Sequence, residues 1–161
     1  MNTVEYMRTI REKYSKMGYA PYGWHEATDT PPWALLAKPL SECRVGMMTT
    51  AGTYVAGQEA YFYKDDTSHR LIPSDTPVEN LRFSHLTENY LPDARRDPNC
   101  AFPIEPLWKL ADEGVIGGLA ENFFSCMGAV YSKRRVDEEV APTIYEAFAA
   151  EGVDVAYLVP L

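Results

Sequence analysis

Two short polar segments carry side chains that could do chemistry, and each follows an apolar run. Thr49 and Thr50 precede Gly52, and His85 ends a later run. Hydroxyl and backbone N–H groups at such positions bind anions or carboxylates, and an imidazole can move a proton near neutral pH. The threonines equally suit a strand end followed by a turn, and His85 equally suits a core position. The pattern therefore leaves a binding role and a structural role open.

A third segment, residues 121–128, combines a hydroxyl and a thiol. Ser125 lacks the G-x-S-x-G frame of hydrolase nucleophiles. Cys126 is either a small buried apolar residue or a nucleophile of the kind found in racemase-type sites, since reactivity needs an electropositive, accessible setting. Gly117 and Gly118 lack G-x-G-x-x-G spacing, so a dinucleotide site is weakly supported.

The elements that must position these residues alternate between helix and strand. Apolar residues at spacings of three and four predict helices, and short apolar runs predict strands. Glycines at 114 and 152 suit helix ends that lead directly into strands. The predicted helices cover residues 3–17, 104–113 and 136–150, and the predicted strands cover 44–50, 71–73, 81–85, 115–120 and 153–159. This alternation predicts an α/β fold, a three-layer α/β/α sandwich with a mostly parallel, Rossmann-like sheet.

The predicted sheet determines where a site should lie. In open α/β sheets, ligands bind beyond the carboxyl ends of the strands. That rule selects residues 49–52, 84–89 and 121–128, and whatever follows residues 159–161. The last strand is expected to be central, and the sequence stops at its carboxyl end. We therefore expect a domain cut at the edge of its own site.

The chain is expected to form a single α/β domain over residues 1–161 that is incomplete at its C-terminus. Within it, residues 1–17 form an N-terminal helix, residues 18–42 a segment rich in proline and aromatic residues, and residues 43–161 the core. Eight prolines and aromatics between residues 19 and 39 exclude regular helix or central strand. We expect an extended strap across the domain, with a lid or docking arm as the alternative.

Composition excludes several functional classes. The 161 residues carry 15 Lys and Arg against 23 Asp and Glu, a net charge of −8, so nucleic-acid binding is not expected. No run approaches the length of a membrane span, and no signal-peptide core is present, so no membrane partner and a cytoplasmic location are expected. The three cysteines lack CxxC spacing and the three histidines form no HExxH, so no metal is expected.

Taken in order, a set of short motifs resembles selenoprotein B of the glycine, sarcosine, betaine and D-proline reductases. The resemblance covers residues 38–161 approximately. Its motifs are residues 37–45 (AKPLSECRV), 49–52 (TTAG), 70–73 (RLIP), 84–85 (SH), 97–99 (DPN), 102–104 (FPI), 110–118 (LADEGVIGG), 125–128 (SCMG) and 151–154 (EGVD).

The resemblance implies chemistry just beyond the last strand. In that family a motif similar to residues 158–161 is followed by selenocysteine or cysteine, often as Cys/Sec-x-x-Cys. Because UGA encodes selenocysteine and is normally a stop codon, we expect an in-frame UGA after Leu161, and no other cofactor. The selenolate would attack the carbon that bears an activated amine and cleave the C–N bond, and a neighbouring thiol and a thioredoxin-like donor would then reset it.

Site residues follow from strand-end location combined with matching motifs. His85 is predicted to pair with the selenolate or handle a proton. Cys126 is predicted as a resolving thiol or a packing residue, since many relatives have an aromatic residue there. The predicted catalytic residues are His85, Cys126 and Ser125, and the predicted substrate-binding residues are Thr49, Thr50, Gly52, Asn89, Met127 and Gly128.

Two functions stay open at this point. One is a selenocysteine- or cysteine-dependent reductase that acts on a small amine or amino acid, inactive without its redox residue. The other is a non-catalytic subunit, or a module of the same fold that binds a small molecule or protein, with residues 19–33 as docking surface. The expected partners are the substrate, a thioredoxin-like protein or other reductase subunits, and possible further copies of the chain.

Overall fold

A computed structural model describes residues 5–21, 26, 28–62, 64–86 and 91–161. The chain divides into two compact units, Met1–Leu35 and Leu36–Leu161. Asn89, a predicted substrate-binding residue, lies outside the described residues, as does the start of the first predicted helix.

The first unit holds helix α1, Tyr6–Lys16. The predicted stop at Gly18 is confirmed, since this residue has φ +82°, a left-handed conformation that suits glycine at a helix end. Among the described residues between Met17 and Leu35 there is no helix or strand, as the prolines predicted. The course of this segment as a strap stays a prediction.

The second unit is organised around strand β1, Arg44–Thr49. Strand β7, Val155–Val159, pairs with β1 in parallel along its whole length. Strands β5, Gly118–Leu119, and β6, Asn122–Cys126, pair in parallel with the start and end of β1 respectively. Because a strand has two edges, β5 and β6 share the edge opposite β7 as one interrupted strand.

Strand β3, His69–Pro73, completes this sheet by pairing antiparallel with β6. Two predictions about the sheet are wrong. Strand β7 pairs only with β1 among the described strands and is an edge strand, with Tyr157 and Leu158 exposed. Residues 122–126, predicted as a loop after a strand at 115–120, form β6 itself, and the earlier strand shrinks to the two residues of β5.

The predicted strand at 81–85 also lies elsewhere. Strand β4, Leu81–Phe83, forms a separate two-stranded antiparallel sheet with β2, Thr53–Val55. His85 therefore does not follow a strand of the parallel sheet. A three-residue strand gives too short a run for periodicity to indicate which sheet it joins.

The remaining elements are helical. The helices are α2, Pro92–Arg96, α3, Ile104–Asp112, α4, Lys133–Arg135, and α5, Ala141–Ala150, with a π-helical turn, Val136–Val140, between the last two and 3-10 turns at Leu40–Glu42, Val78–Asn80 and Pro98–Cys100. The predicted helix at 104–113 is confirmed. The one predicted at 136–150 begins three residues earlier and is interrupted by the π turn.

Alternation along β1 separates two apolar clusters. Val45 and Met47 belong to a cluster with Ile104 and Leu107 of α3, whereas Met48 packs against a cluster with Phe148 of α5. Successive side chains of a strand point to opposite faces, so α3 and α5 cover opposite faces of the sheet.

Gly46 is required where α5 crosses the sheet. A Cβ at this position would lie 2.8 Å from Phe148 Cε1 and 2.9 Å from Val153 Cγ2. The absent side chain leaves the space that the Phe148 ring fills, with Phe124 edge-on to it at a centroid distance of 5.1 Å. The fold is thus mixed α/β with a mostly parallel sheet, as predicted, and the finer description as a three-layer Rossmann-like sandwich stays a prediction.

Asp154 joins the start of β7 to the segment before β1 and makes the fold sensitive to acid. Its Oδ2 lies 2.7 Å from Lys38 Nζ and accepts a 2.8 Å hydrogen bond from Arg44 N. The Lys38 hydrogen bond, followed by that from Arg44, lowers the pKa of the Asp154 carboxyl in the folded state. The stabilisation of the folded state by the Asp154 carboxylate is therefore complete above the unfolded pKa of about 3.9. It is lost as the pH falls through the lower pKa of the folded state.

We expect Asp154→Asn to lower the urea midpoint at pH 6 and to have a much smaller effect at pH 2, where the wild-type carboxyl is also protonated. Chemical denaturation at both pH values measures this. Asp112→Asn, at the exposed end of α3, is the matched control and is expected to change neither midpoint. Equal destabilisation by Asp154→Asn at both pH values would contradict the proposed linkage.

Candidate functional site

The three parallel strands β1, β6 and β7 end at the same edge of the sheet, and the residues that follow them meet there. Thr50 follows β1, Gly128 follows β6 by two residues, and Leu161 follows β7 by two residues. This is the edge at which open α/β sheets bind ligands.

Thr50 ties the three strand ends together. Its N–H donates to Val159 O at 3.1 Å, and its carbonyl oxygen accepts from Gly128 N at 2.8 Å. Its Oγ1 accepts from Leu161 N at 2.9 Å and lies 3.4 Å from Leu161 O. The backbone around Leu161 is therefore held against Thr50 by its side chain as well as by the ladder.

His85 reaches the same edge from the small β2–β4 sheet. A Cβ built on Gly128 would lie 3.1 Å from His85 Nε2, 2.9 Å from Leu161 O and 3.1 Å from Thr50 O. These three groups thus surround one point beside the Gly128 Cα, which only glycine leaves open. His85 is 8% exposed, so its imidazole faces this point from a buried position.

Gly52 holds the segment that leads to His85 against the main sheet. It has φ +65°, and a Cβ there would lie 1.9 Å from Ser84 O. Ser84 N donates to Gly52 O at 2.9 Å, and Gly52 N donates to Cys126 O at 3.0 Å. Gly52 therefore joins the residue before His85 to the end of β6 through its backbone, and it acts as a structural link.

Three other predicted residues lie behind this edge, with no exposed surface of note. Thr49 Oγ1 donates to Ala101 O at 2.9 Å, and Ser125 Oγ accepts from Thr53 N at 2.8 Å. Thr49 and Ser125 are fully buried, and Met127 is 1% exposed. Their hydrogen bonds and packing stabilise the strand ends from the interior of the unit. Their predicted catalytic and binding roles stay predictions.

Cys126 is buried in the apolar cluster beneath α5, together with Phe124 and Phe148. Burial, with a smaller contribution from Asp66, raises the pKa of the Cys126 thiol to about 12. Because the thiolate is the reactive form, this environment disfavours a nucleophilic or resolving role.

Alkylation separates the cysteines. We expect iodoacetamide at pH 8 to label the exposed Cys100 and to leave Cys126 and the buried Cys43 unmodified in the folded protein. Peptide mass spectrometry measures the three sites, and urea-unfolded protein, in which all three react, is the control. Labelling of Cys126 at the rate of Cys100 would restore it as a candidate nucleophile.

Sequence reasoning missed Tyr61. This residue lies between β2 and β3, is 5% exposed, and donates its hydroxyl hydrogen to Ser125 O at 2.6 Å. No periodicity marks it, because it stands in a segment without helix or strand. Burial is the main cause that raises the pKa of its phenol above the usual range, so Tyr61 stays protonated and keeps donating at any working pH.

Two kinds of site find no support in the part of the chain that the structure describes. Its His, Cys, Asp and Glu side chains form no group of three or more that could hold a metal ion. None of its helices has the length and apolar character needed to cross a bilayer. The basic side chains of α4 face acidic ones, since Arg134 and Arg135 pair with Glu138 and Glu139.

The fold and the residues at this edge of the sheet together define an α/β protein with a buried imidazole at the carboxyl ends of its parallel strands. Its sequence is 34% identical to D-proline reductase subunit gamma of Acetoanaerobium sticklandii over 131 residues. This match covers 81% of the chain and 54% of that protein, so the chain spans about half the length of the curated relative that it matches. The similarity supports a relationship to the proline and glycine reductases without singling out selenoprotein B.

No protein-family model matches the sequence, and no solved structure matches the fold.

Proposed function

We propose that this chain is a subunit of an amino-acid reductase of the proline and glycine reductase type, and that the edge formed by Thr50, His85, Gly128 and Leu161 borders its redox site. One observation carries the proposal. The backbone of Leu161 is held beside His85 and Thr50. In the selenoprotein B family that the sequence resembles, selenocysteine or cysteine follows the motif that residues 158–161 represent here.

The proposed reaction is the two-electron cleavage of a C–N bond in a small amine or amino acid. The selenolate or thiolate displaces the amine nitrogen from carbon, and the nitrogen takes up a proton. A dithiol then supplies two electrons, which release the carbon with a new C–H bond and leave a disulfide. A thioredoxin-like protein or another reductase subunit is the proposed dithiol donor.

His85 is proposed as the proton-handling residue. A neutral imidazole accepts a proton from a thiol or selenol, and an imidazolium stabilises the resulting anion and can protonate the leaving nitrogen. Its burial excludes most solvent, which strengthens such an ion pair compared with one in water.

A chimera tests the function. The matched 131-residue region of the Acetoanaerobium sticklandii gamma subunit is replaced by the corresponding region of this chain, and the assembled enzyme is supplied with D-proline and dithiothreitol. We expect ring-opened 5-aminopentanoate to form at a rate within about tenfold of that of the parent enzyme. An enzyme that assembles with a folded chimeric subunit and stays inactive would contradict the proposal and favour a non-catalytic binding module.

A further inference from the structure

Tyr61 belongs to a small apolar cluster that includes residues beside both functional positions of the site, His85 and Gly128. Its ring forms a buried cluster with Met127 and Ala129, the two neighbours of Gly128. Leu86, which follows His85, packs against that cluster. On the other side of His85, the Ser84 hydroxyl lies 3.4 Å from Tyr61 O, at hydrogen-bonding distance.

The hydroxyl of Tyr61 adds a bond to β6. It donates to Ser125 O at 2.6 Å, three residues before Gly128. Tyr61 therefore joins the end of β6 to the segment that carries His85, through its hydroxyl on one side and its main-chain carbonyl on the other. Gly52 provides a second link between these two segments, since it bonds both Ser84 and Cys126.

Arg70 in β3 fixes Tyr61 in turn. Its guanidinium carbon lies 4.4 Å from the centroid of the Tyr61 ring, within the range of a cation–π contact. Arg70 Nε donates to Glu59 O at 2.8 Å and Nη2 to Ala60 O at 3.3 Å, so the two residues before Tyr61 are also held. A planar side chain that stacks and donates in several directions has no equivalent in lysine.

We propose that Tyr61 is a positioning residue that holds His85 and Gly128 at their distances from Leu161, and that Arg70 keeps Tyr61 in place. The consequence for the reaction rests on the proposed function, because only a working site can show a change in rate. The consequence for the local structure does not depend on the proposed function, because hydrogen exchange measures it directly.

Tyr61→Phe tests the proposal while keeping the ring. It removes the bond to Ser125 O and leaves that buried carbonyl without this donor, which favours local opening. We expect amide hydrogen exchange over residues 84–86 and 126–129 to become about tenfold faster, while exchange in α3 is unchanged. In the chimeric reductase we expect kcat to fall about tenfold at constant KM, because the alignment of His85 matters in the transition state.

Arg70→Lys is the second variant and should accelerate exchange in the same two segments. Tyr131→Phe is the matched control, because Tyr131 is an exposed tyrosine close in sequence to the site, and it should leave exchange and rate unchanged. Uniformly faster exchange through α3 and the sheet would assign Tyr61 a general stabilising role and overturn the proposal. So would unchanged exchange at residues 84–86 in both variants.

The two proposals fail differently. If the chimera is inactive but Tyr61→Phe loosens the two segments, the reductase function is wrong and the positioning role stands. If the chimera is active and Tyr61→Phe changes neither local exchange nor kcat, the function stands and the positioning role is wrong.

Discussion

Replacing His85 by glutamine is expected to lower kcat for D-proline in the chimeric reductase at least about a hundredfold, with KM changed less than threefold. Proton transfer by a positioned side chain contributes about 10² to 10⁴ in rate, and glutamine cannot accept or release a proton near neutral pH. Glutamine retains a polar group at the end of a side chain of comparable reach, so the buried site is not left with a cavity of imidazole size. Steady-state kinetics of the assembled enzyme measure the effect.

His69→Gln is the matched control for this substitution. His69 begins β3 opposite Cys126, and its ring lies against Phe124 of the apolar cluster beneath α5, with a centroid distance of 5.9 Å. We expect its kcat to stay within twofold of the parent value. A His85→Gln enzyme that keeps more than a third of the parent kcat would remove His85 from the mechanism, and circular dichroism with a thermal melt would verify that the variant is folded.

Replacing Gly52 by alanine is expected to destabilise the second unit by about 4 kcal/mol, one of the largest effects available to a single methyl group. The φ of +65° is unfavourable for alanine, and the new Cβ would lie 1.9 Å from Ser84 O, a backbone atom that cannot rotate away. Such a loss corresponds to a fall in Tm on the order of 10 °C for a chain of this size. Thermal and urea unfolding followed by circular dichroism measure both quantities.

Gly57→Ala separates strain from collision. Gly57 also has a positive φ, +100°, but nothing lies within 4 Å of the Cβ position. We expect a loss of about 1 kcal/mol, from the backbone conformation alone. If Gly52→Ala proved no worse than Gly57→Ala, the close approach of Gly52 to Ser84 would not be a constraint on the fold.

Much of the second unit follows from local patterns. The strand at β1, the helix at α3 with its glycine stop, and the last strand β7 are all where apolar runs and spacings predicted them. These elements have enough consecutive residues for a periodic signal, and α3 is followed by Gly114, whose φ of +69° suits glycine.

The errors share one physical cause, which is pairing between distant segments. Nothing local indicates that β3 pairs antiparallel with β6, or that β4 leaves the main sheet for β2. Residues 122–126 lack a turn signal before them, since Ala120 and Glu121 interrupt the strand without a tight turn. Pairing partners that lie far apart in sequence, such as His69 and Cys126, are decided by the packing of the whole unit.

The rule that ligands bind beyond the carboxyl ends of parallel strands located the site, but it holds for only some of the site residues. Thr50 and Gly128 do follow parallel strands, but His85 follows a strand of another sheet and arrives through the junction at Gly52. The motif resemblance and the strand-end rule together selected His85, while Tyr61 and Arg70 carry no local signal for their mutual contact. Long-range contacts of single side chains lie beyond what spacing can predict.

The central place of β1 has a consequence for synthesis. Its ladder partner β7 comes about 110 residues later, as the bond between Arg44 and Asp154 illustrates. At translation speeds of about 5 to 20 residues per second, β1 waits roughly 5 to 20 s on the ribosome for that partner. During this interval a mostly apolar strand has an open edge in a nascent chain. Chaperones that shield such segments on the ribosome should therefore raise the yield of folded protein.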